Sequence, residues 1–444
     1  MDRRHGLETT FFATFSERIH DLREAGDHAA AELKNFEDCP MRDPCHAVKA
    51  DDLIARPGPH VITGAPDRDC RLLEAVQALA PLIAGQRNDF DGGRRLPDEV
   101  FAVLADAGRF RLWLPESLGE PELSPFEFMR VVEAASALDG SVGWLVGNGG
   151  GMSRIGGYLG EAVARAWFAD PRAFVVSSTG AVGTATVVAG GYRLCGRWPF
   201  GSGAHHATRF MVLASVRPED PASPLLCCYL GRADVTILDN WHVSGLRGTG
   251  SCDFEARDVF VPAAHVHPFL GLQPTQPGLL YRMPPSSVFA LSICGVPLGI
   301  ASGAIASLAE LACRKSRLGS RAVLRDRETV QAAVGRTRAM LRAARAFLID
   351  AMAELMAATD TGGQRLVEAR ADIRIANAHA AETAMSVTDM LAACAGAAAI
   401  FETCALERAV RDVRAAAKHI AMSPNNYVIA GRLTLGLDPG AARF

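Results

Sequence analysis

The hydrophobic pattern of this sequence changes twice along the chain, and that order restricts the fold more than any other feature. From Asp67 to Asp170, apolar residues recur at three- and four-residue spacing, as the buried face of a helix requires. From Ala173 to about Pro268, short runs rich in Val, Phe, Thr and Tyr alternate with Gly and Pro, which indicates antiparallel strands. From Ser286 to about Gly431, long Ala-rich helical segments follow. We therefore predict an α+β protein of several domains.

The changes of pattern also predict the domain boundaries. We expect an N-terminal α-helical domain over residues 69–172, a middle antiparallel β-barrel over 173–270, a C-terminal four-helix bundle over 285–432 and a tail at 433–444. Residues 1–68 are predicted to be an N-terminal extension, to which the sequence assigns no role. Within it, Thr10 to Leu33 is expected to form a helix, and prolines interrupt the segment that follows.

Composition and charge argue against several classes of protein. Of the 444 residues, 49% are hydrophobic and 21% are charged, and the formal net charge is −3, so no nucleic-acid-binding surface is indicated. The 11 cysteines include no C-x-x-C pair, which favours reduced thiols over a metal site. The charged N-terminus is not followed by an apolar signal segment, and apolar runs such as Leu391–Ile400 are shorter than the ~20 residues of a membrane span. A cytoplasmic protein is expected.

Four stretches of the sequence, in this order, resemble the acyl-CoA dehydrogenase superfamily. They are Arg94–Glu116, Gly190–Gly203, Trp241–Ser251 and Leu406–Tyr427, and the likeness covers roughly residues 70–440. The branch that looks closest is the reduced-flavin-dependent monooxygenases, the group D hydroxylases of two-component systems. Each stretch is weak alone, whereas four in order are specific. The resemblance implies an acyl-CoA dehydrogenase-like fold with the three domains predicted above.

The resemblance also implies an activity and its partners. An enzyme of this branch takes reduced FMN or FAD from a separate NAD(P)H:flavin reductase and reacts it with O₂, and the resulting C4a-hydroperoxide transfers one oxygen atom to a small organic substrate. The sequence contains no nicotinamide-binding fingerprint, which fits a reductase on another protein. A homotetramer is implied, because family members bury the helical bundle between subunits.

Several residues are implied to contact the flavin. Small residues in the segment Trp198–Gly203 let a planar ring approach the backbone, and Ser202 is expected to hydrogen-bond the flavin edge near N5. Arg314 is expected to pair with flavin phosphate, although a helix C-terminus favours arginine for dipole reasons alone. Alternatively, these segments are turns with capping or ion-paired side chains. The implied cofactor contacts are Trp198, Ser202, Gly203, Arg247, Thr249, Ser251, Arg314 and Ser423.

His419 bears most directly on the reaction. Counted from Arg411–Asp412, His419 and Ile420 stand where common acyl-CoA dehydrogenases have Tyr and the Glu that removes the substrate α-proton. Isoleucine accepts no proton, which weakens a dehydrogenase function. In the monooxygenase branch a His at this place lies beside the flavin, and its unperturbed pKa near ~6.5 suits work on the hydroperoxide or the substrate. The alternative is a His that caps the helix C-terminus.

The resemblance also points to a substrate pocket. Several phenol hydroxylases of this branch carry a second His after a Ser-x-x-Trp motif, here Ser141–Trp144, and by spacing that place falls at Met152. A thioether cannot deprotonate a phenol, so either another group is the base or the substrate needs none. His205 and His206 are expected on opposite faces of a strand, so at most one faces the pocket and they do not share a metal. The expected pocket residues are Trp144, Met152, Ser178 and His205.

Two other functions stay open from the sequence. A dehydrogenase that oxidises an acyl thioester requires a carboxylate within reach of the flavin N5, and its bound FAD would bleach when an acyl-CoA is added without oxygen. A catalytically silent ligand-binding relative would be colourless and would leave flavin fluorescence unquenched. The flavin-dependent monooxygenase is the first hypothesis because Ile420 replaces the carboxylate at its commonest place.

Overall fold

The computed structural model of the chain describes residues 66–119, 122–220, 223–271, 273–317 and 319–440. The helix expected from Thr10 to Leu33 and the last residues of the tail lie outside this part. Helices come first, within the stretch where the sequence predicts them. They are α1 (Pro66–Gln77), α2 (Ala80–Gly93), α3 (Asp98–Asp106), α4 (Pro125–Leu138), α5 (Gly140–Met152) and α6 (Glu161–Phe168).

Local chemistry sets where these helices begin. Pro97 precedes α3, and Asp98 and Glu99 occupy its first turn, where acidic side chains interact favourably with the helix N-terminus. Before α4, Ser124 and Glu127 form a capping box. The Ser124 hydroxyl accepts from the Glu127 N–H at 3.3 Å, and the Glu127 carboxylate accepts from the Ser124 N–H at 2.8 Å.

The Gly-rich run Gly147–Gly151 lies inside α5, where neighbouring segments come too close for larger side chains. A Cβ atom on Gly149 would stand 2.2 Å from the Phe174 ring, and one on Gly151 would stand 2.6 Å from the Ser292 Cβ. Glycine weakens a helix by about 1 kcal/mol relative to alanine. Here it permits the close packing that fixes the C-terminal end of α5 against the sheet and the C-terminal helices.

The middle of the chain forms a seven-stranded sheet within the described residues. Its spatial order is β5-β6-β2-β1-β3-β4-β7. Gly190, at φ 79°, makes the turn of a β1–β2 hairpin, in which Val188 pairs with Gly191. The strands are β1 (Val175–Val188), β2 (Gly191–Gly201), β3 (Arg209–Ser215), β4 (Leu225–Gly231), β5 (Thr236–Ile237), β6 (Cys252–Pro262) and β7 (Val266–Pro268).

One strand pair differs from the prediction of a wholly antiparallel barrel. β1 and β3 run parallel, with Val175 opposite Arg209 and Thr184 opposite Ser215. After β2, the chain crosses to the far side of β1 through a short 3₁₀ turn at Ala204–His206 instead of returning as a hairpin. The sheet is therefore mixed, and the prediction was wrong because a crossover leaves no local pattern in the strands it joins.

Seven helices follow in the described part of the chain. They are α7 (Leu279–Arg282), α8 (Pro285–Leu291), α9 (Gly295–Arg314), α10 (Glu328–Thr361), α11 (Gly363–Ala395), α12 (Ala405–Ala416) and α13 (Asn425–Thr434). α9 packs on α4, α11 and α12, while α10 and α13 pack on α11. Glycine permits the closest of these approaches, since a Cβ on Gly299 would stand 2.2 Å from the backbone oxygen of Glu133.

Two helical stretches are long and apolar enough to cross a membrane by length and composition alone. They are Pro285–Arg314 and Gly363–Ile400. The expectation that every apolar segment falls short of a membrane span was wrong, because it considered uninterrupted apolar runs only. In the first stretch 89% of the apolar window is buried inside the chain, as in the core helix of a globular protein, whereas in the second the buried share is 33%.

Candidate active site

A cavity of about 910 Å³ lies where the first helices, the sheet and the C-terminal helices meet. Its wall includes the end of α5, β3 and β4, the α7–α8 region, α11 and the turn at His419–Ala421. Among the described residues that line it, no Asp or Glu occurs. The ionisable nitrogen-bearing side chains of the lining are Arg154, Arg282, Arg374, His267 and His419. The cavity therefore lacks the carboxylate that an acyl thioester dehydrogenase requires.

His419 lies on the wall of this cavity, between two aromatic rings. Its ring centroid is 5.7 Å from that of Trp144 and 5.7 Å from that of Phe289. It precedes a single turn at Ile420–Met422, and its Nδ1 accepts a hydrogen bond from the Ala421 N–H at 3.2 Å. Because Nδ1 accepts, the ring proton is on Nε2, which remains available to donate into the cavity.

The protonation state of His419 differs from the sequence expectation. Burial lowers the pKa of His419 from 6.5 to about 4, so the imidazole is neutral at neutral pH. Protonation of Nδ1 would also place its new N–H against the Ala421 N–H, which now donates to Nδ1, so the hydrogen bond would be lost. The expected pKa near 6.5 was wrong because it ignored desolvation by the surrounding helices. His419 is thus equipped to donate a hydrogen bond from Nε2 rather than to release a proton as an acid.

A chain of hydroxyl groups leads from Trp144 to the sheet. The Thr249 hydroxyl donates to the Leu246 carbonyl at 2.8 Å, so it accepts from Ser251 at 2.7 Å. Ser251 in turn accepts from Ser202 at 2.8 Å, and Ser202 accepts from the Trp144 indole N–H at 3.0 Å. Each hydroxyl has one proton, so the end of the chain fixes the direction of every bond. Ser202 therefore has no proton left to donate and can only accept from a ligand.

The turn that carries this hydroxyl chain is held by a buried carboxylate. Asp412, inside α12, accepts from the Leu246 N–H at 2.7 Å and is 3% exposed. Burial and the neighbouring Asp139 raise the pKa of Asp412, whereas Arg411 and Arg408 oppose that change. Leu246 itself has φ 53°, a left-handed conformation that a leucine rarely adopts. Asp412 thus offsets a strained backbone and fixes where Thr249 and Ser251 stand.

None of the eight predicted flavin contacts is among the residues that line the cavity, and two of them have structural roles in the sheet and its turn. Trp198 is fully enclosed in the sheet, where its indole N–H donates to the Leu213 carbonyl at 2.9 Å and its ring stacks on Phe254. Gly203 has φ 77°, and a Cβ there would stand 2.6 Å from the Phe174 ring. Both positions are required by packing and turn geometry, and their contacts to flavin stay predictions.

Three further predicted cofactor contacts make surface interactions. Arg247 lies 3.9 Å from Asp91 and 3.6 Å from Glu402, and Arg314 forms an i,i+4 ion pair with Glu310 at 3.0 Å. Ser423 caps α13 by accepting from the Asn425 N–H at 3.3 Å. These are the ion-paired and capping arrangements that the sequence left open as alternatives. Their contacts to flavin stay predictions.

The predicted pocket residues divide in a similar way. Met152 lines the cavity, and Trp144 joins the hydroxyl chain beside His419. Ser178 donates to the Pro199 carbonyl at 2.6 Å, so its only proton is already used. His205 lies in the 3₁₀ turn at Ala204–His206, 3.7 Å from the Cys252 sulfur, and is not part of the cavity wall. Its expected place on a strand was wrong.

Most residues of the cavity wall were not predicted from the sequence, and four of them carry polar groups that matter for binding. Arg154 follows Met152 by two positions, Tyr229 lies on β4, His267 lies on β7 and Tyr281 lies on α7. The position of Arg154, next to a predicted pocket residue at a helix end, was a usable signal. The other three come from separate elements that only the folded chain brings together.

The buried imidazole predicts a loss of stability in mild acid. Between pH 6.5 and about 4 the unfolded chain protonates His419 and the folded chain does not. The free energy of unfolding should therefore fall as the pH falls through this window, by up to about 3 kcal/mol from this residue. Urea midpoints measured across the window check this, with His419→Gln as the comparison. A variant whose stability falls as steeply as that of the wild type would contradict the assignment.

Comparison with known proteins gives this geometry a context. The model of the acyl-CoA dehydrogenase C-terminal domain matches residues 291–424. HsaA of Mycobacterium tuberculosis (strain CDC 1551 / Oshkosh), the oxygenase subunit of a flavin-dependent monooxygenase, is 30% identical over 397 residues, which cover 85% of this chain and 99% of HsaA. Indole-3-acetate monooxygenase of Pseudomonas putida is 27% identical and covers 88% of this chain and 98% of its own length.

A solved structure agrees with both sequence relatives. XiaF from Streptomyces sp., in complex with FADH2 and glycerol, superposes with a TM-score of 0.77 at 27% identity and covers 84% of this chain and 97% of XiaF. The fold is thus acyl-CoA dehydrogenase-like, with a mixed sheet and many helices, and the cofactor is reduced flavin. The chain belongs to the family of flavin-dependent monooxygenase oxygenase subunits, the two-component branch of the acyl-CoA dehydrogenase superfamily, and it is an oxidoreductase of that kind.

Proposed function

We propose that reduced FMN or FAD binds beside Ser202 and His419, and that a small organic substrate occupies the adjoining cavity. The observation that carries this proposal is that Trp144 contacts both a hydrogen-bond acceptor and a hydrogen-bond donor. Its indole N–H donates to Ser202, and its ring lies beside the ring of His419. Ser202 offers only an acceptor, and His419 offers an Nε2–H donor. No Asp or Glu competes with them on the described cavity wall. These residues therefore fit a reduced flavin and the oxygen chemistry it supplies.

Ser202 distinguishes the redox states of the flavin. N5 of reduced flavin carries a proton, whereas N5 of oxidised flavin is an acceptor with a lone pair. Because the Ser202 proton is used by Ser251, its oxygen can accept from N5–H but has nothing to donate to oxidised N5. The hydroxyl chain therefore favours the reduced cofactor, as a subunit that receives its flavin from a reductase needs.

His419 and the cavity wall serve the transfer of oxygen. When bound, reduced flavin would supply the two electrons that activate O₂, and O₂ supplies the oxygen atom that the substrate receives. The neutral imidazole donates from Nε2 to negative charge that develops on oxygen, and it keeps its own proton because burial lowers its pKa to about 4. Apolar wall residues such as Met152 and Phe289 limit the access of water.

The remaining predictions concern partners, location and assembly. We expect a separate NAD(P)H:flavin reductase and a cytoplasmic location. We also expect Arg247 and Arg314 to contact the flavin phosphates, since both sit in ion pairs at the protein surface. Three functional parts at 69–172, 173–270 and 285–432 remain the proposed layout, with a barrel and a four-helix bundle as its second and third parts.

A homotetramer is supported by exposed apolar side chains near the C-terminus. Ile400, Phe401, Val428 and Leu435 are each more than half exposed, and the neighbouring stretch Gly363–Ile400 is apolar yet mostly unburied in one chain. Contact between copies would cover this surface. A monomeric mass by light scattering at micromolar concentration would contradict the assembly.

The preference for reduced flavin tests the proposed site. We expect reduced FMN or FAD to bind about 10-fold more tightly than the oxidised form, a ratio appropriate to one hydrogen bond. Anaerobic titration gives the first affinity and fluorescence quenching gives the second. Ser202→Ala should remove the preference, whereas Ser178→Ala, whose hydroxyl bonds the Pro199 carbonyl, should keep it. Tighter binding of oxidised FAD, or its bleaching by an acyl-CoA without oxygen, would contradict the site and favour a dehydrogenase.

A further inference from the structure

A buried arginine faces the cavity from the turn that follows α5. Arg154 is 9% exposed and lines the cavity together with Tyr158, Tyr229 and Tyr281. We propose that Arg154 is the anchor for an oxyanion on the substrate, which is a small aromatic compound that carries a carboxylate or a phenolate. This deepens the proposed function, because it names the substrate class of the same cavity and depends on that cavity being the substrate site.

The first argument is the absence of a compensating charge. Among the described residues, the Arg154 guanidinium forms no ion pair with a carboxylate, and its hydrogen-bond partner is the Tyr158 hydroxyl. The guanidinium also lies 5.0 Å from the centroid of the Tyr158 ring. A buried cation that lacks an anionic partner costs free energy, and an anionic ligand offsets that cost. The four unused N–H groups of the guanidinium include the planar fork that suits a carboxylate.

The second argument is that the neighbouring hydroxyls are already used. Tyr158 donates to the Tyr281 carbonyl at 3.2 Å, and Tyr281 donates to the Glu122 carboxylate at 3.2 Å. His267 Nδ1 donates to the Pro268 carbonyl at 2.8 Å, so its Nε2 accepts from the Tyr229 hydroxyl at 2.8 Å. Burial lowers the pKa of His267 and raises that of Tyr229, which keeps both neutral. Among these neighbouring groups, Arg154 is therefore the one that still has N–H donors for a ligand.

The third argument is the composition of the whole wall. Arg282 and Arg374 also line the cavity, and no Asp or Glu among the described lining residues would repel an anionic ligand. Arg282 pairs with Asp360 at 2.9 Å, and Arg374 bonds the Asn426 side chain at 3.4 Å. Aromatic and apolar side chains such as Phe289 and Met211 supply flat surface for a ring.

This anchor also explains how a phenol could be bound as its anion although Met152 stands where related phenol hydroxylases have a second His. A hydroxylase of phenols needs its substrate as the phenolate, and Met152 cannot remove the proton. A cation beside the phenol oxygen lowers the pKa of the bound phenol, so the ligand binds as the anion from solution without a protein base. A carboxylate is already ionised and needs no base at all.

Binding of matched aromatic ligands to the purified full-length protein tests the proposal without any flavin chemistry. Benzoate and benzamide have nearly the same shape and differ in charge. Isothermal titration should show benzoate binding on the order of 10- to 100-fold more tightly than benzamide, the ratio expected for charge-assisted hydrogen bonds. Arg154→Met should abolish this preference and Arg154→Lys should retain part of it. Arg282→Met, on the same wall but paired with Asp360, is the matched control and should keep it.

A pH series separates the two sources of the oxyanion. If phenolates are held, the affinity for 4-nitrophenol should rise with pH through the pKa of that ligand. If carboxylates are held, benzoate affinity should stay level over the same range while 4-nitrophenol binds weakly at every pH. Either pattern supports the anchor. Equal affinity for benzoate and benzamide in the wild type, or an unchanged preference in Arg154→Met with native far-UV and thermal behaviour, would overturn it.

The same variants separate this inference from the monooxygenase site. Flavin binding and peroxide release, measured in Arg154→Met, should remain close to wild type because Arg154 is not among the groups beside Ser202. If charge preference fails while reduced flavin still binds preferentially, only the anchor is wrong. If reduced flavin shows no preference, the flavin site itself is wrong.

Discussion

His419→Ala should release hydrogen peroxide from reduced flavin and O₂ on the order of 10²- to 10³-fold faster than the wild type does. The wild-type imidazole donates from Nε2 in a buried site, where a hydrogen bond to developing negative charge is much stronger than in water. Alanine removes the donor and leaves space that water can enter. Rapid mixing of the anaerobic protein–flavin complex with oxygenated buffer, followed by peroxide detection, measures the rate.

Two variants control for simple disruption of the site. His419→Gln keeps an N–H donor of similar reach, so its rate should lie between those of the wild type and the alanine variant. His205→Ala removes an imidazole that is close in sequence to Ser202 but does not line the cavity, and its rate should match the wild type. A wild-type rate in His419→Ala would remove this residue from the chemistry. The wild-type rate should also show no inflection near pH 6.5 from His419, since its pKa is about 4.

The parts of this fold that sequence could predict are the parts set by local chemistry. The helix at Pro125–Leu138 begins at Ser124 because a capping box needs only neighbouring residues. The first helices and the strands lie in the stretches where the changes of hydrophobic pattern placed them. The parallel pairing of β1 with β3 was missed because nothing in either strand records which neighbour it will meet.

In the active site, too, the sequence located residues but did not reveal properties that depend on the fold. His419 was found by its spacing from Arg411–Asp412, yet its pKa was not, because burial is a property of the fold. Ser202 was found from its segment, whereas its role as an acceptor depends on a chain that ends at Leu246, on another turn. Arg154 was missed because its isolation from carboxylates appears only when the cavity is assembled from distant elements.

Arg345→Met should lower the free energy of unfolding by about 3–5 kcal/mol at neutral pH, because it leaves the buried Glu133 carboxylate without its cationic partner. Arg345, on α10, bonds both carboxylate oxygens of Glu133, on α4, with its Nε at 3.0 and 3.1 Å. Glu133 is fully enclosed, so methionine would leave its charge in an apolar surrounding. Urea midpoints, or thermal midpoints for the assembled protein, measure the loss.

Two control variants identify the cause of that loss. Adding Glu133→Leu to Arg345→Met should restore much of the stability, because a packed apolar pair avoids desolvation of either charge. Glu354→Ala breaks an exposed pair with Arg365 at 3.2 Å and should cost at most about 1 kcal/mol. A loss in Arg345→Met as small as that would show that the pair does not hold α4 against α10.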